Sequence, residues 1–290
     1  MLLFFALLLP IASEPSLRQW TVDGVPREAL VAVPPSATTT PTPVVFCFHG
    51  HGGNMRNAAR QFHLHSEWPE AICVYMQGLN TPGQLTDPEG KRPGWQKTAG
   101  DQQDRDLKFF DAVLASLKAE YKIDEQRIHS TGHSNGGGFT YLLWEHRADV
   151  FASMAPSGSA AVKSRSKLPP KPVFHIAGTN DPLVKFAWQK ITIEALKTRH
   201  QCGTEQPWKD AATICPSPIH APVITLLTDK GHRFPPEAPA LIAHFFREYP
   251  KRPDSKPSTD APPATPPANE PQPSRKADGA PPTCDSLCGP

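Results

Sequence analysis

Short, continuously apolar runs alternate with amphipathic stretches from residue 42 to residue 250 of this 290-residue chain. Two of the apolar runs are "TPVVFCFHG" at 42–50 and "AICVYMQG" at 71–78. Such runs are typical of strands that are buried on both faces of a sheet. "DRDLKFFDAVLASLKAEY" at 104–121 has the apolar spacing of a helix. Strands that alternate with helices join through right-handed crossovers, so we expect an α/β fold with a mostly parallel central sheet and helices on both faces.

The two ends of the chain depart from this alternation. "RQWTVDGVPREALVAVPP" at 18–35 alternates apolar and polar residues around Asp-Gly, which predicts an N-terminal antiparallel hairpin. "MLLFFALLLPIAS" at 1–13 has the length of a signal peptide, although a misplaced start codon or a buried first strand is the alternative. Residues 251–290 are rich in proline and poor in aliphatic residues, which predicts a disordered tail. We therefore expect a folded domain at 14–250 in a secreted or periplasmic protein.

The charge pattern excludes some classes of partner. The formal net charge is +2, and charges of both signs are interspersed, so no basic stripe predicts nucleic-acid binding. The apolar leader is too short to span a bilayer as a helix, and no second run of that kind follows it, so we expect no stable membrane insertion. We also expect the protein to be a monomer.

The chain has six cysteines, which are Cys47, Cys73, Cys202, Cys215, Cys284 and Cys288. The first two lie in apolar runs and are expected to be buried thiols. Cys202 and Cys215 flank a polar loop, which a disulfide could close in an exported protein. The pairing of the two tail cysteines stays open between a local loop, an intermolecular bond and a processing remnant. No pair has histidines at metal-ligand spacing, so we expect no metal site.

The carboxyl ends of the predicted strands are the place to look for chemistry, because ligands of open α/β sheets bind there. "GHSNGG" at 132–137 follows one predicted strand, opens a helix and contains the pattern Gly-x-Ser-x-Gly. In that context the pattern is typical of a nucleophile elbow, a tight turn that lifts a serine hydroxyl above the sheet. A side chain at Gly132 or Gly136 would strike the neighbouring strand or helix. Ser134 is therefore the candidate nucleophile.

Two later strand ends complete a candidate catalytic triad. Serine is a weak nucleophile at neutral pH, so Ser134 needs a general base, and the base needs an orienting carboxylate. Asp181 in "GTNDPLV" and His232 in "KGHRFPP" supply both groups. Asp229 is a local alternative partner for His232. Three histidines are less suitable, because one adjoins the serine, one lies within a strand and one precedes the last strand; they are His133, His175 and His220.

An acyl-transfer site also needs N–H groups that stabilise the oxyanion. The residue after the nucleophile supplies the first, which is the backbone N–H of Asn135. We expect the second in the glycine-rich loop "HGHGGN" at 49–54, from the backbone N–H of His51, with that of Gly52 as the alternative. The same loop could bind a phosphate at the start of a helix. It matches no Gly-x-Gly-x-x-Gly or P-loop pattern, so the oxyanion interpretation is favoured.

Six segments together resemble a known family. They are "VVFCFHGHGGN", "PGWQ", "DLKFFDAVL", "IHSTGHSNGGGFTYLL", "AGTNDPLV" and "GHRFPPE", and they come in the order and spacing of the polyhydroxybutyrate depolymerase and feruloyl esterase group of α/β-hydrolases. The resemblance covers about residues 28–248. It implies the α/β-hydrolase fold and a secreted serine hydrolase that acts on esters without a cofactor, with Ser134, Asp181 and His232 as the triad. Phe234-Pro235-Pro236 replaces the family's usual Trp-Pro-Gly, and no cysteine lies near the Gly-Trp segment.

Two aromatic residues are candidates for contact with the substrate. Trp95, in a long polar loop, either lines an acyl subsite or pins the loop to the domain, and Phe234 is expected to border the cleft. The expected substrate is a small ester or an acylated polysaccharide, and the choice between feruloyl or acetyl esters and short hydroxyalkanoate esters stays open. The alternatives are a serine peptidase or acyltransferase on the same fold, and a noncatalytic polysaccharide-binding protein.

Overall fold

A computed structural model of the chain describes residues 13–83, 85–161 and 163–252. The predicted signal peptide at 1–13 and the predicted tail at 251–290 lie almost entirely outside these residues, and so do Cys284 and Cys288. The described residues form strands at β1 Ser16–Val22, β2 Val25–Ala32, β3 Thr42–Phe48, β4 Ile72–Met76, β5 Leu79–Asn80, β6 Pro93–Gly94, β7 Ile123–His133, β8 Ser153–Ser157, β9 Val173–Gly178, β10 Gln206–Pro207, β11 Thr213–Cys215 and β12 Val223–Thr228.

The helices lie mainly between the strands of the sheet. They are α1 Met55–Phe62, α2 Leu64–Glu67, α3 Arg105–Glu120, α4 Asn135–His146, α5 Phe186–Arg199 and α6 Ala238–Glu248. Three short 3₁₀ turns are at Pro35–Thr38, Asp101–Asp104 and Ala148–Val150. No helix within residues 13–83, 85–161 and 163–252 has the length and the apolar character needed to cross a membrane.

One large sheet runs through the domain. Its strand order is β1-β2-β4-β3-β7-β8-β9-β12-β11-β10. The central strands from β4 to β12 pair in parallel, whereas the strands at both edges pair antiparallel. The predicted N-terminal hairpin is β1-β2, and its turn residues Asp23 and Gly24 have φ angles of 51° and 78°. The predicted fold class is confirmed, with its parallel centre, its covering helices and its antiparallel hairpin.

Both faces of the central strands are buried, which explains their continuously apolar sequences. Successive side chains of a strand point to opposite faces of the sheet. In β3, the Phe46 ring packs against Phe110 of α3 and the Phe48 ring against Phe139 of α4, with centroids 4.8 and 4.9 Å apart. Cys47 lies between them in sequence and belongs to the apolar cluster on the other face, with α1, α2 and α6. A strand that is covered on both sides has no solvent-facing position, so its sequence does not alternate between apolar and polar residues.

The four described cysteines are free thiols. Cys47 and Cys73 are fully buried, as predicted, and burial raises the pKa of Cys73 to about 12. Cys202 and Cys215 lie close together, but the predicted disulfide between them is not formed. Each thiol is directed at a carbonyl oxygen instead, with Cys202 Sγ 3.3 Å from Cys215 O and Cys215 Sγ 3.1 Å from Gly203 O.

The turn between β7 and α4 packs more tightly than any side chain would allow. A Cβ atom at Gly132 would lie 2.3 Å from the carbonyl oxygen of Gly136, and one at Gly136 would lie 2.1 Å from that of Phe48. A Cβ at Gly137 would meet Ser159 Oγ at 2.5 Å. These contacts let the helix begin directly against the sheet and force Ser134 into a φ of 57° and a ψ of −119°. The turn has the strained backbone of the predicted nucleophile elbow.

Replacing Gly136 by alanine is expected to destabilise the fold, because the new Cβ would overlap the backbone of β3. Overpacking of this kind costs about 1–3 kcal/mol. Gly138→Ala is the matched control in the same helix, since a Cβ there would meet nothing within 4 Å. Its better helix propensity should add about 0.5–1 kcal/mol. Urea unfolding measures both changes, and equal stability of the two variants would contradict the packing argument.

Candidate active site

The structure brings Ser134, His232 and Asp181 into one hydrogen-bonded chain. Each follows the carboxyl end of a different parallel strand, namely β7, β12 and β9. His232 Nε2 lies 2.8 Å from Ser134 Oγ, and His232 Nδ1 lies 2.7 Å from Asp181 Oδ2. Because a carboxylate only accepts, Nδ1–H donates to Asp181, which leaves Nε2 free to accept the serine proton. This is the arrangement that a serine nucleophile requires.

The carboxylate of Asp181 is buried, and all its neighbours are donors. The backbone N–H groups of Leu183 and Val184 donate to Oδ1 at 2.8 and 2.9 Å. Gln189 Nε2 donates to Oδ2 at 3.2 Å, beside His232. A buried charge is tolerated when it is hydrogen-bonded in this way. Asp229, the alternative partner, does not contact the His232 ring; its carbonyl oxygen accepts a bond from Asn180 Nδ2.

His133 supports the catalytic turn without competing as a base. Its Nε2–H donates to the carbonyl oxygen of His232 at 3.2 Å, so its Nδ1 accepts from Ser157 Oγ at 3.1 Å. Burial lowers the pKa of His133 to about 4, and the ring is therefore neutral near pH 7. Both ring nitrogens are engaged, and neither faces the Ser134 hydroxyl with a hydrogen bond. The sequence-based argument against His133 as the base agrees with this geometry.

Phe234 lies two residues after His232 and is half-buried. Its ring packs edge-on against Phe62 and His133, with centroid distances of 4.8 and 5.8 Å. The ring is thus held beside the triad, which is compatible with its predicted position at the border of the cleft. Contact with substrate stays a prediction.

The loop after β3 lies against the nucleophile. A Cβ at Gly50 would be 3.5 Å from Ser134 Cβ. His49 fixes the base of the loop, because its Nδ1–H donates to Gly50 O at 2.8 Å and its Nε2 accepts from the Gly78 N–H at 3.0 Å. Burial lowers the pKa of His49 to about 4, so this bridge is neutral near pH 7.

The candidate oxyanion donors are the backbone N–H groups of Asn135 and His51. Asn135 is the first residue of α4, where helix N–H groups lack internal acceptors. Among the residues that the structure describes, neither the Asn135 N–H nor the His51 N–H has a hydrogen-bond acceptor. The alternative donor, Gly52, is engaged, since its N–H donates to Pro93 O at 2.7 Å. The geometry favours His51 over Gly52 for the predicted second donor.

The long polar loop at 79–103 holds the side chains of both candidate oxyanion residues. Asn135 Oδ1 accepts from the Trp95 N–H at 2.7 Å, and Asn135 Nδ2 donates to Trp95 O at 3.1 Å. His51 Nε2 lies 3.0 Å from Asp87 Oδ2. Asp87 was not predicted, because nothing in the local pattern distinguishes it from the other polar residues of this loop. The length of the loop was the only signal in the sequence.

Trp95 belongs to the core, and its contact with substrate stays a prediction. Its side chain is buried, stacks on Phe139 at 5.3 Å and packs edge-on against Phe48 at 5.1 Å. The indole N–H donates to His49 O at 2.9 Å. Of the two roles considered for Trp95, the structure favours pinning the loop, because the ring is buried and its N–H is bonded to the backbone of His49.

Comparisons with known proteins agree with this geometry. No protein-family model matches the chain. A 148-residue segment is 31% identical to a probable feruloyl esterase C of Aspergillus clavatus, covering 49% of this chain and 50% of the relative. A 189-residue segment is 27% identical to a putative esterase of Nocardia uniformis, covering 61% and 52%. The chain therefore spans about half the length of these curated relatives. A solved acetyl xylan esterase from Aspergillus awamori has a TM-score of 0.61 at 12% identity, covering 80% of this chain and 99% of that one.

The parallel sheet, the crossover helices and the strained turn between β7 and α4 define an α/β-hydrolase fold, which the structural neighbour shares. Over about half of its length the chain is similar in sequence to a protein named feruloyl esterase C. The feruloyl esterase part of the resemblance is thus confirmed, and the likeness to polyhydroxybutyrate depolymerases stays a prediction. Among residues 13–83, 85–161 and 163–252, no group of three or more His, Cys, Asp or Glu side chains is placed to hold a metal ion.

Trp95→Phe tests whether this residue pins the loop. The change removes the indole N–H and leaves the buried carbonyl of His49 without its donor. An unsatisfied buried group costs about 1–3 kcal/mol, so the free energy of unfolding should fall by that amount. If the ring instead lined a substrate subsite, stability would be unchanged while KM for an aromatic ester rose. Urea unfolding and steady-state kinetics on methyl ferulate distinguish the two results.

Proposed function

We propose that this protein is a secreted serine hydrolase that cleaves carboxylic esters through an acyl-enzyme. The observation that carries the proposal is the hydrogen-bonded chain from Ser134 Oγ through His232 to Asp181, with distances of 2.8 and 2.7 Å. The similarity to proteins named feruloyl esterase and acetyl xylan esterase supports an ester as the substrate. The proposed reaction uses side chains and N–H groups of the chain itself and needs no cofactor.

Acylation begins with attack by Ser134 Oγ on the ester carbonyl carbon. His232 Nε2 takes the hydroxyl proton, and Asp181 stabilises the imidazolium that forms while fixing the orientation of the ring. The carbonyl oxygen becomes an oxyanion, which accepts hydrogen bonds from the N–H groups of Asn135 and His51. When the tetrahedral intermediate collapses, the bond to the leaving alcohol oxygen breaks and His232 Nε2–H protonates that oxygen. The alcohol departs, and the acyl group remains esterified to Ser134.

Deacylation repeats the same steps with water. His232 Nε2 removes a proton from a water molecule, whose oxygen attacks the acyl carbon. The same two N–H groups stabilise the second oxyanion. Collapse breaks the bond to Ser134 Oγ, which regains its proton from His232. The carboxylic acid leaves, and the enzyme returns to its starting state.

Most of the catalytic effect in this proposal comes from groups that are in place before the substrate arrives. Loss of a single oxyanion donor typically costs about 10²–10³ in kcat. Ser134 has the strained backbone of a nucleophile elbow, a turn in which the N–H after the nucleophile serves as an oxyanion donor. The contacts that hold Asn135 and His51 therefore bear directly on the rate.

The proposed substrate is a small ester or an acylated polysaccharide. Feruloyl and acetyl esters are favoured over short hydroxyalkanoate esters, since the relatives and the structural neighbour carry the names of feruloyl and acetyl xylan esterases. Phe234 is proposed to border the acyl position, because its ring packs against His133, the residue before Ser134. The protein is proposed to act as a monomer.

Secretion is proposed on the strength of the apolar leader at 1–13. The mature protein should then begin near residue 13 or 14. Amino-terminal sequencing of protein from the native host checks this, and an intact Met1 would overturn it.

Ser134→Ala should abolish hydrolysis of p-nitrophenyl acetate, with a loss of at least about a thousandfold in kcat, because no other nucleophile occupies the turn. Ser66→Ala, an exposed serine in α2, is the matched control and should keep the activity of the parent protein. Hydrolysis by Ser134→Ala at the rate of the parent would refute the triad. Steady-state kinetics with the purified parent protein and the two variants measure these activities.

Turnover of methyl ferulate, acetylated xylan and hydroxybutyrate oligomers by the parent protein identifies the class of substrate. We expect turnover of the first or second to exceed that of the oligomers. Covalent labelling by a fluorophosphonate, together with cleavage of peptides but of no ester by the unlabelled protein, would instead favour the serine peptidase alternative. Binding to xylan that survives Ser134→Ala, with no esterase activity in the parent, would favour the noncatalytic binding protein.

A further inference from the structure

Both candidate oxyanion residues depend on one loop for their position. The loop at 79–103 holds Asn135 through two bonds to the backbone of Trp95. It holds His51 through the carboxylate of Asp87. The first attachment uses main-chain atoms that any residue would supply, whereas the second depends on one particular side chain. A substitution can therefore remove the attachment through Asp87, but not the attachment through the backbone of Trp95.

The Asp87 carboxylate is buried and points at three donors. Its Oδ2 accepts from His51 Nε2–H at 3.0 Å and from the Arg92 N–H at 2.8 Å. Its Oδ1 accepts from the Lys91 N–H at 3.2 Å. The backbone of Asp87 is fixed separately, by two bonds with Gly83 at 2.8 and 3.0 Å. The carboxylate is thus rigidly placed before it meets the His51 ring.

The His51 imidazole sits in a slot between two glycines. A Cβ at Gly83 would lie 2.8 Å from His51 Cε1, and one at Gly94 would lie 2.6 Å from His51 Nδ1. Bare backbone on both sides brings the loop as close to the ring as packing allows. His51 Nδ1 is buried and has no hydrogen-bond partner among the described residues. Within those residues, the bond to Asp87 is the hydrogen bond that fixes the ring.

We propose that Asp87 is a positioning residue for catalysis: by holding the His51 side chain, it keeps the His51 backbone N–H directed at the oxyanion. This inference rests on the proposed esterase function. An oxyanion donor contributes fully only when its geometry is set before the reaction, and a misplacement of about 1 Å can cost on the order of a hundredfold in rate. Because the donor acts on the transition state, its misplacement lowers kcat and leaves ground-state binding almost unchanged.

The experiment is a double-mutant cycle of Asp87→Ala and His51→Ala, assayed on p-nitrophenyl acetate. Each single variant should lose about 10–100-fold in kcat, with KM within about twofold of the parent. The double variant should lose no more than the worse single variant, because Asp87 acts through the His51 ring. Titration of active Ser134 with a fluorophosphonate corrects each kcat for the folded fraction.

Two further variants separate positioning from folding. Asp101→Ala is the matched control in the same loop, since Asp101 Oδ2 accepts from the Thr98 N–H and contacts neither oxyanion residue; it should keep the parent kcat. Asp87→Asn keeps the shape of the side chain if Asp87→Ala fails to fold, and it too should lose kcat at constant KM.

Losses in kcat that add in the double variant, or an Asp87 variant that raises KM while kcat is unchanged, would overturn the positioning role. These outcomes differ from failure of the esterase proposal. In that case the parent protein itself shows no ester turnover, or Ser134→Ala is as active as the parent.

Discussion

The close approach of α4 to the sheet is the constraint on which the rest of the site depends. Gly132 and Gly136 lie so near other backbone atoms that a Cβ would come within 2.3 and 2.1 Å of carbonyl oxygens. The helix can begin immediately after β7 only because these side chains are missing. The chain between them must then reverse direction at Ser134, in a left-handed conformation that costs about 1–3 kcal/mol. The buried strands on either side supply the stability that keeps this strain in place.

The parallel sheet brings residues that are distant in the sequence together at one site. Asp181 lies 51 residues from His232, and Ser134 lies 98 residues from it, yet all three meet at a single edge. Parallel strands joined by helical crossovers present their carboxyl ends on that edge, so each loop that follows a strand adds one polar group. The neutral histidines His49 and His133 fill the spaces between these loops, where burial lowers the pKa of each to about 4. His49 connects the backbone of Gly50 to that of Gly78, and His133 connects the Ser157 hydroxyl to the carbonyl oxygen of His232.

What the sequence could predict follows from how local each signal is. The buried strands and the turn at Ser134 can be predicted because their signals lie in consecutive residues. Asp181 and His232 were predicted from the rule that active sites of such sheets lie at strand ends. Trp95 could not be placed, because an aromatic residue in a polar loop has no periodicity that tells core from cleft. The thiols of Cys202 and Cys215 were candidates for a disulfide because they flank a loop, but they face carbonyl oxygens. Spacing in the chain does not determine the direction of a side chain.

The contact between Asp87 and His51 is a second feature that local sequence patterns could not predict. The two residues are 36 positions apart, in segments with no repeating pattern, and the loop that brings Asp87 to His51 contains the paired strands β5 and β6. A long loop at this edge of the sheet is costly to order, since each fixed residue loses about 1–2 kcal/mol of backbone entropy. The ordered loop forms hydrogen bonds with the side chains of His51 and Asn135. These bonds help to fix the two residues whose backbone N–H groups are the proposed oxyanion donors beside Ser134. In the proposed mechanism the loop is thereby part of the oxyanion site, although none of its own atoms needs to touch the substrate.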